Sequence, residues 1–382
     1  MRVLFVCNNA YIRGNGLSAS VLNTVRNLRE YGMDVRLMSA SNPDPDGPQP
    51  DFPLRHMKIP LFEPIIRSNG FCYARIERKV IREAVEWADV VHFEECFLLE
   101  RVVRRMADRQ GKVCTATCHL YPHNITANLG LPKKNLLSWL LSRFWVRSIF
   151  NHCSDVQCPT SEVMRYLQSY DTRARLHVIS NGIRLPEDPF RPAPVQPEPE
   201  VDILCIGRLA KEKSQETLLK AMQYSRYADR IRLSFAGSGP KARKYQRMAE
   251  RLYRQAVLRH VPSFGFYTAE QLSGLARKSY LYVHCAWVEV EGLSCLEATR
   301  EGLVPIIGEG DLIGTSQFAL CPESLYPACD SRALAQRIDW WIEHPEERNA
   351  MSVRYAKAAR RYALEDSVKS LVEMFQLALE KR

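Results

Sequence analysis

The sequence predicts an α/β protein of two domains, each built around a parallel β-sheet. At 382 residues the chain is too long for one ordinary hydrophobic core. Apolar runs that predict buried strands alternate with helical segments, and this alternation stops and restarts around a proline-rich stretch. Two such halves predict two Rossmann-like domains that face each other across a central cleft.

The predicted strands are nearly continuous apolar runs, typical of a parallel sheet that is covered on both faces. Between the first two lies a helical segment that ends near Gly32, a residue suited to the position after a helix. The predicted strands are 2–7, 35–40, 89–94, 112–119, 155–160 and 176–180 in the first half, and 202–207, 231–237, a short strand near 262–266, 281–286 and 304–309 in the second. From residue 331 onwards the chain is predicted to be helical throughout.

A linker is predicted at 185–200, because proline can neither continue a helix nor pair in the interior of a sheet. Its prolines stand at positions 186, 189, 192, 194, 197 and 199. This divides the chain into a first domain at 1–184, a second at 201–364 and a C-terminal helix at 365–382.

The composition excludes several classes of protein. No apolar run reaches the length of a membrane span and no signal peptide is recognisable, so we expect a cytoplasmic protein. The net charge of +10 is compatible with phosphorylated ligands or an anionic membrane. Nucleic acid is disfavoured, because the basic residues are dispersed and form no known binding motif.

Most of the cysteines are expected to be buried, reduced thiols. Five lie in or at the end of predicted strands, where cysteine acts as a small apolar residue: Cys7, Cys114, Cys158, Cys205 and Cys285. Cys114, Cys118 and His119 are the one arrangement that suggests a metal, and no second Cys/His pair accompanies them. We therefore predict no metal site.

The segment LLSWLLSRFWVRSIF at 136–150 has two interpretations. Its apolar residues go almost all the way round a helical wheel, which favours a mostly buried helix. Its tryptophans and the nearby Lys133, Lys134, Arg143 and Arg147 are also compatible with peripheral contact with a membrane.

Two loops suggest phosphate binding. Gly14, Gly16 and Ala19 match the spacing of a dinucleotide-binding loop, but the acid at the expected distance, Asp34, precedes the second strand instead of ending it. A nicotinamide cofactor is therefore disfavoured, and a glycine loop that opens a helix remains. In the second half, Arg208 and Lys213 follow a strand and could both reach a diphosphate; a solvated basic turn is the alternative.

Two further groups of residues follow strands. His119 lies at the end of the predicted strand 112–119 and either faces the cleft or is an ordinary structural histidine. In EVEGLSCLEATREG at 289–302, Ser294 and Glu297 predict a capping box at a helix start. That box explains neither Glu289 nor Gly292, while Glu301 is expected on the helix surface.

These motifs together resemble the retaining family 4 glycosyltransferases. The stretch EVEGLSCLEA at 289–298 is similar to the family's E-G-F-G-L-x-x-L-E-A, and EGLVPII at 301–307 to its continuation. GRLAKEK at 207–213, AGSGP at 236–240 and ISNGI at 179–183 resemble three other family motifs, in the same order. The resemblance spans nearly the whole chain.

The resemblance implies a GT-B fold and transfer of a sugar from a nucleotide-diphosphate donor, with net retention and no metal or other cofactor. Arg208 and Lys213 would neutralise the leaving diphosphate. Glu289 would contact the sugar and Glu297 the ribose. The remaining implied contacts are Gly292, Leu293 and Ser294 at a helix start, Gly14 and Gly16 near the diphosphate, and His119 beside the sugar. The C-terminal helix would cross back onto the first domain.

The resemblance also implies attack from the face of the leaving group, with a donor phosphate oxygen taking the acceptor's proton; Glu289 as a covalent nucleophile is not favoured. The acceptor would be a saccharide or a lipid, in synthesis of a cell-surface polysaccharide or glycolipid. Val290 and Glu291 depart from the family's usual glycine and aromatic residue, and so do Thr299 and Arg300 from its small apolar pair. A nucleotide-sugar epimerase and a non-catalytic nucleotide-sugar-binding protein are the alternative hypotheses.

Overall fold

The computed structural model describes residues 1–12, 14–58, 72–186 and 199–380. Two compact units make up the chain: unit 1 comprises Met1–Gly182 and Leu364–Arg382, and unit 2 comprises Ile183–Ala363. The predicted linker at 185–200 lies mostly outside the described residues.

Unit 1 contains a sheet of seven parallel strands within its described residues, in the order β3-β2-β1-β4-β5-β6-β7. The order reverses between β1 and β4, which is where such sheets bind ligands beyond the carboxyl ends of their strands. The strands are β1 (Arg2–Val6), β2 (Asp34–Ala40), β3 (Phe52–Leu54), β4 (Val90–Phe93), β5 (Val113–Thr117), β6 (Asp155–Cys158) and β7 (Arg175–Val178). The helices are α1 (Gly16–Glu30), α2 (Arg78–Trp87), α3 (Leu98–Arg109), α4 (His123–Thr126), α5 (Leu136–Ser148) and α6 (Ser161–Gln168), with a 3-10 turn at Phe150–His152.

Unit 2 repeats the design with six parallel strands among the residues described, in the order β10-β9-β8-β11-β12-β13 and with the reversal between β8 and β11. Its strands are β8 (Val201–Ile206), β9 (Ile231–Ala236), β10 (Ser263–Gly265), β11 (Leu281–His284), β12 (Val304–Glu309) and β13 (Leu325–Pro327). Its helices are α7 (Glu216–Ala221), α8 (Ala242–Arg254), α9 (Ala269–Lys278), α10 (Leu293–Arg300), α11 (Ser331–Glu343) and α12 (Pro345–Ala359). Short 3-10 turns lie at Ala228–Arg230, Gly314–Phe318, Pro322–Ser324 and Arg360–Tyr362.

The strands β3 and β13 were not predicted. Each has three residues and pairs at the edge of its sheet, and each contains a proline, Pro53 or Pro327. Three residues are too few to show a periodic pattern, and proline is tolerated in a strand at an edge. The strand pattern therefore predicted the sheet centres and missed these edges.

The last helix, α13 (Leu364–Glu380), is part of unit 1. Its apolar face, including Val368, Leu371 and Phe375, is buried in one core with β1. The Phe375 and Phe5 rings meet edge to face with centroids 6.2 Å apart. Burial of such a face is the main source of helix stability in water.

Gly182 shows why the NGI motif needs a glycine. Its φ is +73°, and an added Cβ would lie 2.6 Å from the Cα of Leu364. Any other residue would combine backbone strain with a clash against the first residue of α13.

The predicted thiols are confirmed as buried and free: Cys7, Cys114, Cys158, Cys205 and Cys285. In the part of the chain that the structure describes, no three His, Cys, Asp or Glu side chains form a group suited to a metal ion. None of the described helices is long and apolar enough to cross a bilayer.

Candidate functional site

In unit 2, the loop after β8 carries Arg208 and Lys213, and its path depends on two glycines of the next motif. The Leu209 N–H donates to the Ser238 carbonyl oxygen over 2.8 Å. A Cβ on Gly237 would lie 2.1 Å from the Gly207 oxygen, and one on Gly239 would lie 2.5 Å from the Leu209 oxygen. The GRLAKEK and AGSGP motifs are therefore two halves of one packed structure, which positions both cations at the carboxyl edge of the sheet.

Each of these cations contacts a carboxylate. The Arg208 guanidinium donates to Glu212, which is 1% exposed. The Lys213 ammonium contacts Glu289, which lies 76 residues further along the chain and follows β11. Parallel strands bring these distant segments together because their carboxyl ends lie at the same edge.

Glu289 is the centre of a polar network. The Nε2 of His284 lies 3.3 Å from Oε2 of Glu289. Tyr282 Oη lies 3.1 Å from the Nδ1 of His284 and 3.0 Å from the hydroxyl of Ser294. Burial alone would raise the pKa of Glu289, but the charge of Lys213, with help from His284, lowers it to about 2. Glu289 is therefore a carboxylate at any ordinary pH.

The segment after β12 holds the backbone of Glu289 in place. The Glu289 N–H donates to the Leu312 oxygen over 2.8 Å, and the Gly314 N–H donates to the Glu289 oxygen over the same distance. This segment, EGDLIGTSQFAL at 309–320, thereby forms a parallel bridge between Glu289 and Ile313.

The predicted capping box at Ser294 and Glu297 is wrong. Helix α10 begins at Leu293, and its N-cap is Gly292, in the left-handed region at φ +82°. A Cβ on Gly292 would lie 2.3 Å from Oγ1 of Thr315, so the neighbouring loop requires glycine here. The Ser294 hydroxyl is directed to Tyr282 instead of the helix end, while Glu297 is exposed.

The prediction that Glu301 lies on the helix surface is also wrong, since this residue is 3% exposed. The Arg277 and Arg300 side chains donate to its two oxygens, over 2.7 and 2.9 Å. Burial alone would raise the pKa of Glu301, but these arginines lower it. Glu291, which stands where the family usually has an aromatic residue, is buried as well.

In unit 1, His119 follows β5 and contacts Glu94, which the sequence analysis did not predict as a site residue. The His119 Nε2 lies 2.5 Å from Oε2 of Glu94, a buried carboxylate at the end of β4. Burial alone would raise the pKa of Glu94, but the charge of His119 and this hydrogen bond lower it. The other Glu94 oxygen lies 3.5 Å from His92, whose pKa burial lowers to about 4. In the sequence, two adjacent acids, Glu94 and Glu95, directly follow the apolar run of β4. This pattern was the signal that could have identified Glu94.

In the glycine loop of unit 1, the side chain of Asn15 caps the start of helix α1. Asn15 accepts hydrogen bonds from the N–H groups of Leu17 and Ser18, over 2.9 and 3.3 Å. These two N–H groups were expected to be free for a phosphate. Gly14 has φ +72°, and among the described residues a Cβ on Gly16 would meet nothing within 4 Å.

The structure thus brings several predicted residues together. Within unit 2, Lys213 contacts Glu289, which is linked through His284 and Tyr282 to Ser294. Arg208 lies on the same loop as Lys213 and is held by Glu212. Gly14, Gly16 and His119 belong to unit 1.

Two family profiles match the chain. The profile for "Glycosyl transferases group 1" matches residues 187–359, and that for "Glycosyltransferase Family 4" matches residues 14–186. A comparison with curated proteins gave no match.

Solved structures were compared as well. Sucrose-phosphate synthase from Thermosynechococcus elongatus has a TM-score of 0.71 at 16% identity and covers 100% of both chains. Anabaena Alr3699/HepE, solved in complex with UDP-glucose, has a TM-score of 0.70 at 14% identity, covering 98% of this chain and 99% of that chain. At these identities the likeness establishes the fold alone. The catalytic domain of cholesterol-α-glucosyltransferase from Helicobacter pylori is 37% identical over 43% of this chain and 99% of that chain, but its TM-score of 0.40 carries no structural argument.

The two matched segments follow each other along residues 14–359, and both units have the sheet order described above. The chain therefore belongs to the family 4 glycosyltransferases of the group 1 type, and it is a glycosyltransferase with the GT-B fold.

Proposed function

We propose that this enzyme transfers a hexosyl group from a nucleotide-diphosphate sugar to a saccharide or lipid acceptor, with retention and without a metal ion. The observation that carries the proposal is the pair of cations, Arg208 and Lys213, on the loop at the strand-order reversal of unit 2. Two fixed cations at this edge suit a diphosphate, because arginine donates through a planar fork and lysine acts as a point charge.

Charge neutralisation is the main catalytic contribution in this proposal. When the bond between the anomeric carbon and the diphosphate breaks, negative charge develops on the leaving oxygen. Arg208 and Lys213 would stabilise that charge at no cost of reorganisation, because Glu212 and Glu289 already hold them in place. A metal ion would not be needed for this step.

Glu289 and the start of α10 would bind the rest of the donor. A permanently charged Glu289 accepts hydrogen bonds from sugar hydroxyls, and its pKa of about 2 keeps it charged. Leu293 and Ser294 lie in the first turn of α10, where backbone N–H groups are available to a phosphate or a sugar, and Gly292 permits close approach. Glu297 is exposed on the same helix and would bind the ribose.

For retention, the acceptor hydroxyl would attack the anomeric carbon from the side of the leaving group, and its proton would pass to a donor phosphate oxygen. The bond to the diphosphate breaks as the new glycosidic bond forms, so charge and atoms balance without a protein nucleophile. Gly14, Gly16 and His119 in unit 1 keep their predicted roles, beside the diphosphate and the sugar, as parts of this proposal.

The acceptor would belong to cell-surface polysaccharide or glycolipid synthesis at the cytoplasmic face of a membrane. The supporting observations are the net charge of +10 and the apolar, basic character of α5.

The test is incubation with UDP-, GDP- and ADP-sugars, with thermal shift and nucleotide release as the measurements. We expect at least one sugar nucleotide to raise Tm and to release its nucleotide, and Lys213→Ala to abolish both effects. Lys278→Ala, an exposed lysine of the same unit, is the matched control and should behave like the wild type. Failure of every sugar nucleotide to bind would overturn the proposal, and NMR of the product sugar separates transfer from epimerisation of the donor.

A further inference from the structure

Helix α5 of unit 1 presents an apolar face to solvent. Five large side chains on it are between 39% and 70% exposed, and we call them the α5 patch: Leu136, Leu137, Trp139, Leu140 and Phe144. Their spacing of three and four residues places them on one side of the helix. An exposed apolar group of this size marks an interaction surface.

The opposite side of α5, which faces the protein, carries two serines. The Ser138 hydroxyl lies 2.7 Å from that of Thr126, and the Ser142 hydroxyl donates to the Ser138 carbonyl oxygen over 2.6 Å and contacts Tyr166. Burial of Trp145 and Val146 completes this inner face. The sequence analysis favoured a mostly buried helix, and this was wrong, since most of the large apolar side chains of α5 are exposed. Folding of unit 1 does not explain them.

The segment of the chain that carries the patch has charged residues of one sign only. Residues 109–154 contain no Asp or Glu, and their basic residues are Arg109, Lys112, Lys133, Lys134, Arg143 and Arg147. Lys133, Lys134 and Arg147 are exposed. Two arginines also lie against patch rings, Arg143 at 4.8 Å from the Trp139 ring centre and Arg101 at 4.6 Å from that of Phe144. Their charges therefore stand directly beside the apolar side chains.

We propose that the α5 patch inserts into the interfacial region of an anionic lipid bilayer. An apolar helix face with tryptophan, bordered by Lys and Arg, suits the boundary between acyl chains and negatively charged headgroups. The basic side chains reach the headgroups while the patch enters the boundary. A second protein copy fits less well, because the patch and its basic border would meet their own like charges.

This inference deepens the membrane part of the proposed function and rests on that function only for the nature of the acceptor.

The test is flotation of the full-length protein with vesicles of phosphatidylcholine alone or with phosphatidylglycerol added. The wild type should float with the anionic vesicles, float about tenfold less with neutral ones, and dissociate as salt is raised.

Two variants separate the apolar and the charged contributions. Replacing Trp139, Leu140 and Phe144 together by serine should lower vesicle binding at least about tenfold, and a cooperative thermal unfolding transition checks that the variant is still folded. Lys133→Gln with Lys134→Gln should lower binding about tenfold and reduce its salt dependence. The matched control, Val261→Ser with Val353→Ser, removes two equally exposed apolar side chains of unit 2 and should float like the wild type.

The inference is overturned if the wild type does not float with anionic vesicles, or if the serine variant floats with them as well as the control does. It is also overturned if sedimentation without lipid shows a dimer that the serine variant abolishes, because the patch would then be covered by a second copy. Nucleotide release from a sugar nucleotide, measured without vesicles, should be the same in all variants. Loss of vesicle binding alone leaves the proposed function intact, and lack of donor binding alone leaves the membrane surface intact.

Discussion

Two buried carboxyl groups of unit 2 and two of unit 1 have pKa values shifted in opposite directions. In unit 2, Glu289 contacts Lys213 and Glu301 contacts two arginines, so that the pKa of each is lowered. In unit 1, Glu95 and Glu100 lie near the ends of β1 and β4 and share the side-chain amide of Asn8, over 3.0 and 2.9 Å. Burial raises the pKa of Glu95, and burial with the neighbouring charge of Glu95 raises that of Glu100 well above its usual value.

The difference teaches that burial alone does not decide the charge of a carboxyl group. A nearby cation outweighs the loss of hydration at the two glutamates of unit 2, and His119 does the same at Glu94 of unit 1, whereas the Asn8 amide does not. Glu289 and Glu301 are therefore charged carboxylates in contact with cations. The pKa values of Glu95 and Glu100 are shifted in favour of the protonated form, and through Asn8 these residues link segments that are distant in the sequence.

The largest expected effect is on catalysis in unit 2. Lys213→Ala should lower kcat/KM for the preferred donor by about 100- to 1000-fold, the usual cost of removing one fixed charge-stabilising group. Lys213→Arg keeps the charge and should recover part of the loss. Steady-state kinetics on the donor found in the panel measures both. An unchanged kcat/KM in Lys213→Ala would show that Lys213 does not stabilise the charge of the leaving group.

The next effect is on the stability of unit 1. Asn8→Ala removes the amide that both Glu95 and Glu100 accept from, and should lower the free energy of unfolding by about 2 kcal/mol. Urea denaturation measures it. Asn27→Ala is the matched control, because Asn27 is a half-buried residue of α1 whose amide donates to the Asn23 oxygen of its own helix, and it should change stability by less than about 0.5 kcal/mol. Equal effects of the two changes would show that the shared amide has no special role.

The pH dependence should have opposite signs at Glu289 and Glu100. Because the folded pKa of Glu289 is lowered from 4.5 to about 2, its stabilisation is present above 4.5 and is lost as pH falls towards 2. Because the folded pKa of Glu100 is raised, its stabilisation is present below 4.5 and is lost as pH rises from there.

Glutamine variants test these signs through denaturation midpoints measured against pH. Glu289→Gln should become more destabilising relative to the wild type as pH rises from about 2 to 5, by about 1.4 kcal/mol for each unit of pKa shift. Glu100→Gln should become less destabilising, or stabilising, as pH rises above about 4.5. The same sign in both variants would contradict the comparison.

The smallest effect on folding is expected at Glu297, which is exposed on α10. Glu297→Gln should change the free energy of unfolding by less than about 0.5 kcal/mol. If Glu297 binds the ribose, the same variant should weaken donor binding about tenfold, as expected for loss of a charged hydrogen bond. Isothermal titration with the preferred donor measures this, and an unchanged affinity would remove Glu297 from the site.

Much of the fold could be predicted because its signals are local. Continuous apolar runs such as 2–7 and 281–286 are buried parallel strands, and the helical tail after 331 is present as expected. The errors arose where a local pattern had two physical outcomes. Ser294 and Glu297 have the spacing of a capping box, but the loop beside Gly292 starts the helix two residues earlier. An all-round apolar pattern did not reveal which side of α5 meets the protein.

By itself, the sequence determined two parallel α/β units, the family and the identity of Arg208, Lys213 and Glu289 as site candidates, because motifs and periodicity are properties of short segments. Only the tertiary structure decided the partners: His119 with Glu94, Glu289 with Lys213 and His284, and Glu301 with its arginines. The residues of these pairs are mostly far apart in the chain, and they meet because parallel strands and packed helices bring distant segments together. Their charges follow from that proximity, because a neighbouring cation and burial act on a pKa only through space.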